Sequence, residues 1–504
     1  MLRFETYNAD GQAASGPLRN AVLIDKDEVV TSGRVRCRDG TITCERRSSG
    51  AFALSLRFDA GEPGDLALRT CLLPQREDPY VLAVELARHR IGTFVVKAEE
   101  WGMIDLGDAH PAMKLWNEAR RIFTQAMVAS NPAHADKAGR ESLTLAISAS
   151  ERLAVAHSEI LLKRRFWTKP APSTAIGVRI EPSRRGDALR DLAHRHFRLL
   201  AVPLRWSSLC PQEGQYNWTD ADDWIGWAED QGCRVITGPL IDLGRGGLPG
   251  WVDARVSCYE HLRDLAYEHV EQVVTRYGDH IGMWSIGTGI NTNTAQSLEP
   301  RQMTDLVRLL ALRIREGRRG RRVILELEQP WSEYLHGHAD AVGPLAFVEQ
   351  IVQAGVRLDA VGLRIQLGDE GRGRTMRDLM EISRLLDRFV YVDPRVIVTD
   401  LGVPSEARAG AGGRWRGEWS QARQGQWASL AIGIMLSKPH VESVIWTDLF
   451  DHDQTRPRCA GLITEEGDVK EVLKRLISLR RRLSSPFGPA KDESSDSGHV
   501  AEAE

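Results

Sequence analysis

The sequence predicts an α/β protein: a (β/α)8 TIM barrel preceded by an N-terminal β-sandwich-like domain and a helical hairpin. Three observations carry this. From Thr174 onward, short Val-, Ile- and Leu-rich runs alternate with helical stretches eight times. Three of the runs end in residues able to do chemistry: Arg234–Asp242, Met283–Asn291 and Arg395–Leu401. In a barrel of parallel strands such ends converge on one face. Ahead of Thr174 the pattern differs, with period-two alternation first and long helical spacing after it.

Residues 1–106 read as a β-rich domain. Arg34–Cys44 alternates around Asp39-Gly40, a hairpin signal, and Ala51–Phe58 alternates too. Leu66–Leu73 and Gly92–Lys97 read as further strands, while Arg76–Arg88 takes on helical spacing at its end. By fold analogy such a domain binds carbohydrate; the alternative is a domain that only packs on the rest. Residues 107–168 read as a helical hairpin brace. Met113, Leu115, Trp116, Ala119, Ile122, Phe123 and Met127 recur at helical spacing, and Asn131-Pro132 separates them from a second stretch, Ala133–Phe166.

The barrel is expected over residues 169–483, after a Pro-rich linker at Lys169–Ser173. Its strands are Ala175–Ile180, Leu199–Trp206, Arg234–Asp242, Gly282–Gly287, Arg322–Glu328, Ala360–Leu367, Arg395–Leu401 and Val441–Asp448, with Val469–Arg482 as the closing helix. Residues 484–504 are rich in Ser, Asp and Glu and read as a disordered acidic tail.

Composition excludes several classes of function. The net charge of −3 gives no general attraction to nucleic acid or to an anionic membrane. Met1–Asn8 lacks the apolar segment of a secretory leader, and no apolar run reaches membrane-spanning length. The seven cysteines are odd in number, with no Cys-x-x-Cys, which suits reduced thiols in a cytoplasmic protein. No phosphate-cradling loop or dinucleotide fingerprint is present, so no cofactor is expected. His336-Gly-His338 with Asp340 has metal-binding residue types but no third histidine at helical spacing, and reads as a surface loop.

Five stretches carry a family resemblance: Leu204–Ala228, Leu248-Pro-Gly-Trp-Val252, Arg276–Trp284, Val398-Thr-Asp400, and Ile445-Trp446 with Asp448. On these the barrel resembles glycoside hydrolase family 10, whose known members are chiefly endo-β-1,4-xylanases. Residues 1–168 lie outside the resemblance. It implies retaining cleavage by two glutamates about 5–5.5 Å apart, one protonated and one ionised. The family's acid/base motif, Trp-Asp-Val-x-Asn-Glu, falls on Trp284-Ser-Ile-Gly-Thr-Gly289, which has no carboxyl group. Its nucleophile falls on Asp400, one methylene shorter, a displacement that costs about 10²-fold in a near-attack geometry. The family's Lys-Trp becomes Arg205-Trp206, its Gly-His becomes Gly238-Pro239, a later Trp-His becomes Leu243-Gly244, and its Gln-x-His becomes Arg364-Ile-Gln366.

The residues themselves offer other carboxylates. Asp242, Glu326, Glu328, Asp400 and Asp448 lie at or near strand C-terminal ends, and Glu326 and Glu328 share a face by period-two alternation. Glu328 and Asp400 form the candidate acid and nucleophile; the alternative is that these groups are ion-paired to Arg205 or Arg364. The candidate substrate contacts are Arg205, Trp206, Asp242, Trp251, Arg364, Gln366, Trp446 and Asp448. The indoles would stack on sugar rings, and the arginines would meet an acidic substituent. Gly410–Trp419, with two Trp among Gly and Arg, reads either as a mobile lid or as a flexible insertion. The expected partner is an oligosaccharide or polysaccharide, with no nucleic acid and no membrane. Two functions fit: a divergent glycosidase with a changed acid, and a carbohydrate-binding or scaffold pseudoenzyme.

Overall fold

The structure is a computed structural model that describes residues 1–488 apart from 9, 15, 47–49, 185, 317–319, 339–340 and 408–410. Eight parallel strands close into a barrel. They are β1 (Ile176–Arg179), β2 (Leu199–Val202), β3 (Arg234–Thr237), β4 (Met283–Thr288), β5 (Arg322–Leu327), β6 (Ala360–Gln366), β7 (Arg395–Gly402) and β8 (Val441–Trp446). Each pairs with the next, and β8 returns to β1 with Trp446 beside Val178. A two-residue strand, Ile241–Asp242, extends β3 and pairs with β4 at Gly287 and Thr288.

The apolar strands follow from burial on both faces: every residue of β1, β2 and β4 is buried. One layer of the interior is wholly apolar, built by Leu199, Ala201, Ile236, Met283, Ile324, Ala360, Ile397 and Ile445. Two residues beyond Met283, Ile324, Ile397 and Ile445, the buried side chains of Ser285, Glu326, Thr399 and Thr447 turn the filling polar. A methyl group on Gly362 would lie 2.9 Å from both Glu326 Cγ and Thr399 Cγ2, so glycine makes room there for a buried carboxylate. An apolar layer below and charged groups above place the chemistry at the C-terminal mouth.

Ahead of the barrel are two small sheets. One holds Leu2–Glu5, Arg34–Arg38, Thr41–Glu45 and Tyr80–Val81, with the expected hairpin turning at Asp39-Gly40. The other holds Val22–Ile24, Val30–Thr31, Ala53–Asp59 and Gly64–Arg69, and takes Arg414–Trp415 as an added strand. The strand expected at Gly92–Lys97 is instead the middle of a helix, Leu82–Glu100. Leu82, Leu86, Arg90, Phe94 and Lys97 are buried at helical spacing, whereas Val95 and Val96 are exposed. Burial along one helical stripe overrides the β preference of Thr93, Val95 and Val96. The helices Pro111–Val128 and Pro132–Arg165 form the expected hairpin, and the Asn131 side chain caps the second by accepting from the Ala133 N–H at 2.8 Å.

Buried ion pairs join these elements to the barrel. Arg90 grips Asp378 with both terminal nitrogens, at 2.6 and 3.1 Å, and Lys97 and Lys438 share Asp387. Glu151 accepts from the Trp415 indole at 2.6 Å and pairs with Arg416 at 2.8 Å. This corrects the reading of the loop after β7 as a mobile lid: Trp415 and Trp419 are buried, and the loop is strapped to the N-terminal sheet and helices. Gly410 lies outside the described residues.

Phe487 and Gly488 donate their N–H groups to Phe166 and Trp167, so the first residues of the expected tail pack back on the helices. Residues 489–504, where the rest of that tail falls, lie outside the described residues. Among the described residues no helix is long and apolar enough to cross a membrane.

Candidate functional site

β4 runs fully buried to Thr288 and then enters the left-handed region at Gly289, with φ of 66°. A methyl group on Gly289 would fall 2.3 Å from the Gly244 nitrogen and 2.9 Å from the Leu243 carbonyl carbon. The backbone of the loop after β3 therefore fills the space that any side chain at 289 would need. That backbone is held in place by the Leu243 N–H, which donates to the Thr288 carbonyl at 3.0 Å. Just beyond, the Asn291 side chain donates to the Glu328 carbonyl at 2.8 Å and accepts from its N–H at 3.1 Å. Asn291 thus continues the pairing of β4 with β5 past the strand ends.

At the centre of the mouth lies Asp400, on β7 and fully buried. Its Oδ2 accepts from Gln366 Nε2 at 2.7 Å and Arg364 Nη2 at 2.9 Å, and lies 3.0 Å from Arg179 Nη2. A register shift between Leu363 and Arg364 sets Arg364 opposite Asp400. Burial alone would raise the Asp400 carboxyl, but Arg179 and Arg364 outweigh it and hold the group below the usual carboxylate range.

The Arg364 guanidinium also lies 3.2 Å from Glu328 Oε1 and 4.0 Å from Glu326, and donates to Thr288 Oγ1 at 3.2 Å. Burial works against its charge, yet Asp400, Glu328 and Glu326 keep it firmly protonated. Glu326 and Glu328 are shifted upward, because burial outweighs the pull of Arg364. Glu328 and Asp400 are thus poised in opposite senses on the two sides of one guanidinium, the arrangement expected of an acid and a base. Access separates them. Glu328 lines a cavity of about 890 Å³ together with Asp242, Arg364 and Gln366, whereas Asp400 is sealed beneath it.

The remaining predicted residues divide between this cavity and other surroundings. Asp242 is half-buried in the cavity wall, and its Oδ1 accepts the Gly244 N–H at 2.7 Å. Arg205 pairs with Glu181 at 2.9 Å and lines a different cavity, of about 350 Å³. Asp448 is buried 3.6 Å from His452 Nε2, and burial pushes its carboxyl up.

Trp206 and Trp446 are interior, which corrects their expected role as sugar platforms. Trp446 is fully buried and its indole donates to the Ala460 carbonyl at 2.6 Å, under the loop that follows β8. Trp206 is 2% exposed and stacks on His269 with ring centroids 4.7 Å apart. Trp251 meets the edge of Trp206 at 6.0 Å, donates to the Cys210 carbonyl at 2.9 Å, and keeps partial exposure. Arg364, expected to meet an acidic ligand, is instead engaged by three carboxylates of the chain itself.

Arg179 and Asn291 were not among the expected site residues. Arg179 left a signal, a charged residue inside the apolar run Gly177–Ile180. His338 lines the 890 Å³ cavity, and the His336 carbonyl accepts from Arg372 at 2.6 Å. Asp340 lies outside the described residues, and among those described no three His, Cys, Asp or Glu side chains are grouped to hold a metal.

Fold and site together define a (β/α)8 barrel with carboxylates of opposed acidity at its C-terminal mouth. Residues 171–298 match the model of Glycosyl hydrolase family 10, and the barrel is similar to that family over this stretch. Endo-1,4-beta-xylanase 3 of Hypocrea jecorina is 34% identical over 83 residues, 16% of this chain and 23% of that protein. Endo-1,4-beta-xylanase 1 of Gibberella zeae is 22% identical over 212 residues, 40% of this chain and 57% of that protein. The chain spans about a quarter to just over half of these relatives' length. Among solved structures, xylanase B from Clostridium stercorarium F9 is 17% identical with a TM-score of 0.47, covering 63% of this chain and 98% of that one. Xylanase 10B from Thermotoga petrophila, solved with xylobiose, is 16% identical with a TM-score of 0.48, covering 64% of this chain and 96% of that one.

Proposed function

We propose that the barrel mouth binds a β-linked saccharide, and that the family's own cleaving positions, 289 and 400, do no cleavage in this chain. The observation that carries this reading is the backbone of Leu243 and Gly244 standing where a side chain at 289 would lie. Without a proton donor at that position, help to the leaving oxygen is lost, worth about 10²–10⁴-fold. Asp400 is ionised but reaches no ligand, since Arg179, Arg364 and Gln366 surround a fully buried carboxylate. What supports binding is the cavity itself, whose volume of about 890 Å³ suits a small oligosaccharide and whose wall offers Asn293, Thr294 and Gln366 as hydrogen-bonding groups.

The curated relatives are named endo-1,4-beta-xylanases, so β-1,4-xylo-oligosaccharides are the first ligands to test. If the ligand carries an acidic substituent, Arg245 and Arg372 on the cavity rim are placed to meet it, in place of Arg205 and Arg364. Titration calorimetry with xylotriose and with a uronic-acid-bearing xylo-oligosaccharide tests the reading. Binding is expected, with xylan turnover far below the ~1–10³ s⁻¹ of ordinary enzymes. Failure of every β-1,4-oligosaccharide to bind would overturn it.

A further inference from the structure

We infer that Glu328 and Asp242 form a carboxylate pair, separate from the family's positions, that cleaves a β-glycoside bound in the mouth; the inference rests on the saccharide reading above. The pair is built from three elements. Asp242 ends the short strand after β3 and is anchored by the Gly244 N–H on Oδ1 at 2.7 Å. Glu328 follows β5, with its backbone fixed at both N–H and carbonyl by the Asn291 side chain. Its Oε1 faces Arg364 at 3.2 Å.

Gly244 lies close to both side chains. A methyl group there would sit 2.8 Å from Asp242 Oδ1 and 3.8 Å from Glu328 Oε2. The two oxygens are therefore at most 6.6 Å apart, which admits the ~5–5.5 Å separation of retaining glycosidase pairs. Gly244 is also the residue whose backbone closes position 289. One close approach of backbones therefore excludes a side chain at 289 and sets the Asp242 carboxylate beside Glu328.

The pair differs from a surface acidic patch in access, and Glu328 differs also in acidity. Both open into the 890 Å³ cavity at the barrel mouth, which Asp400 does not line. Burial raises the Glu328 carboxyl, Arg364 opposes this, and Asp242 adds to the rise. Glu328 is therefore the member of the pair suited to give a proton.

The step balances without any co-reactant except water. Glu328 gives its proton to the glycosidic oxygen as the C1–O bond breaks, and Asp242 Oδ2 bonds to C1. Water then attacks C1, its proton passes to the Glu328 carboxylate, and the ester bond to Asp242 breaks. One glycosidic bond and one water are consumed, and both side chains return to their starting states.

The test uses the full chain with aryl β-xylobiosides of good (2,4-dinitrophenyl) and poor (4-methoxyphenyl) leaving ability, and xylotriose as the binding probe. Slow turnover is expected, with the β-anomer formed first by NMR. Asp242→Asn should lose about 10²-fold or more on both aryl substrates. Glu328→Gln should lose about 10²-fold on the poor leaving group and under about 10-fold on the good one, because only the former needs the proton. Both variants should still bind xylotriose.

Xylotriose binding without any turnover by the native chain would overturn the pair and leave the binding reading standing. An equal loss on both leaving groups in Glu328→Gln, or an α-anomer as first product, would also overturn it. Absence of all oligosaccharide binding would remove the reading beneath it.

Discussion

Replacing Gly289 with alanine puts a methyl group where the backbone of Leu243 and Gly244 now lies. The cost has two parts. A φ of 66° is in the left-handed region, where a side chain costs about 1–2 kcal/mol. The contacts of 2.3 and 2.9 Å are with backbone atoms, which cannot swing aside as a side-chain end would, and overpacking of this kind costs about 1–3 kcal/mol. Together they give about 2–5 kcal/mol, or about 4–20 °C in Tm at the ~2–4 °C per kcal/mol of large domains. Scanning calorimetry reads the shift directly. Gly282→Ala is the matched control: that glycine precedes β4, is exposed, and has nothing within 4 Å of an added methyl, so a change within about 0.5 kcal/mol is expected. Gly289→Glu puts the family's carboxylate back in the sequence but should destabilise further and gain no xylan cleavage. A Gly289→Ala protein that melts within 1 °C of native (the approximate error of such a scan) would refute the packing argument. So would a Gly289→Glu protein that folds and cleaves xylan faster than the native chain does.

Three further predictions follow from the buried groups. Asp400→Asn leaves Arg179 and Arg364 without their shared anion and should cost about 3–5 kcal/mol by calorimetry. Because the Asp400 carboxyl is held below its ordinary value, its stabilisation is complete above that value and lost as pH falls through the lower folded one; the variant should lose that acid-dependent portion. Burial lowers His269 to about 3, so it is neutral in the fold. Stability should then be full above the unfolded histidine value near 6.5 and fall by about 2 kcal/mol by pH 5, a loss that His269→Gln should relieve in pH-dependent melting. Trp446→Ala should cost about 3–5 kcal/mol as a core truncation; a variant that keeps native stability and loses only ligand affinity would restore the sugar-platform role.

The barrel was legible because its strands are buried on both faces and so appear as unbroken apolar runs, from Leu199–Val202 to Val441–Trp446. The helix at Leu82–Glu100 was not, because exposed Val95 and Val96 stand beside Phe94 and mimic a strand over six residues, while the deciding stripe runs from Leu82 to Ala98. At the site, Asp242, Glu328, Arg364 and Asp400 were legible as polar residues ending apolar strands. Which of them pair was not, since Arg179 reaches Asp400 from the first strand and the contact leaves no local pattern. The same limit applies to Trp206 and Trp446: a strand-end position in the sequence does not say whether the ring faces the cleft or the core. The closure of position 289 was legible only as a missing carboxyl; that Gly244 occupies the space depends on two loops meeting.

Asp400 shows why a retained acidic residue is weak evidence for retained chemistry. A nucleophile must be ionised and must also reach C1. The two arginines secure the first condition and, by surrounding the carboxylate, remove the second. The residue still has a reason to be acidic, because it ties β1, through Arg179, and β6, through Arg364 and Gln366, to β7 across the barrel. An uncompensated guanidinium in that interior would cost several kcal/mol, which is enough to keep an anion at 400 on grounds of folding alone. The chemistry open to this chain is therefore decided by the carboxylates that have cavity surface. Asp242 and Glu328 have it, and burial raises the Glu328 carboxyl as a proton donor needs.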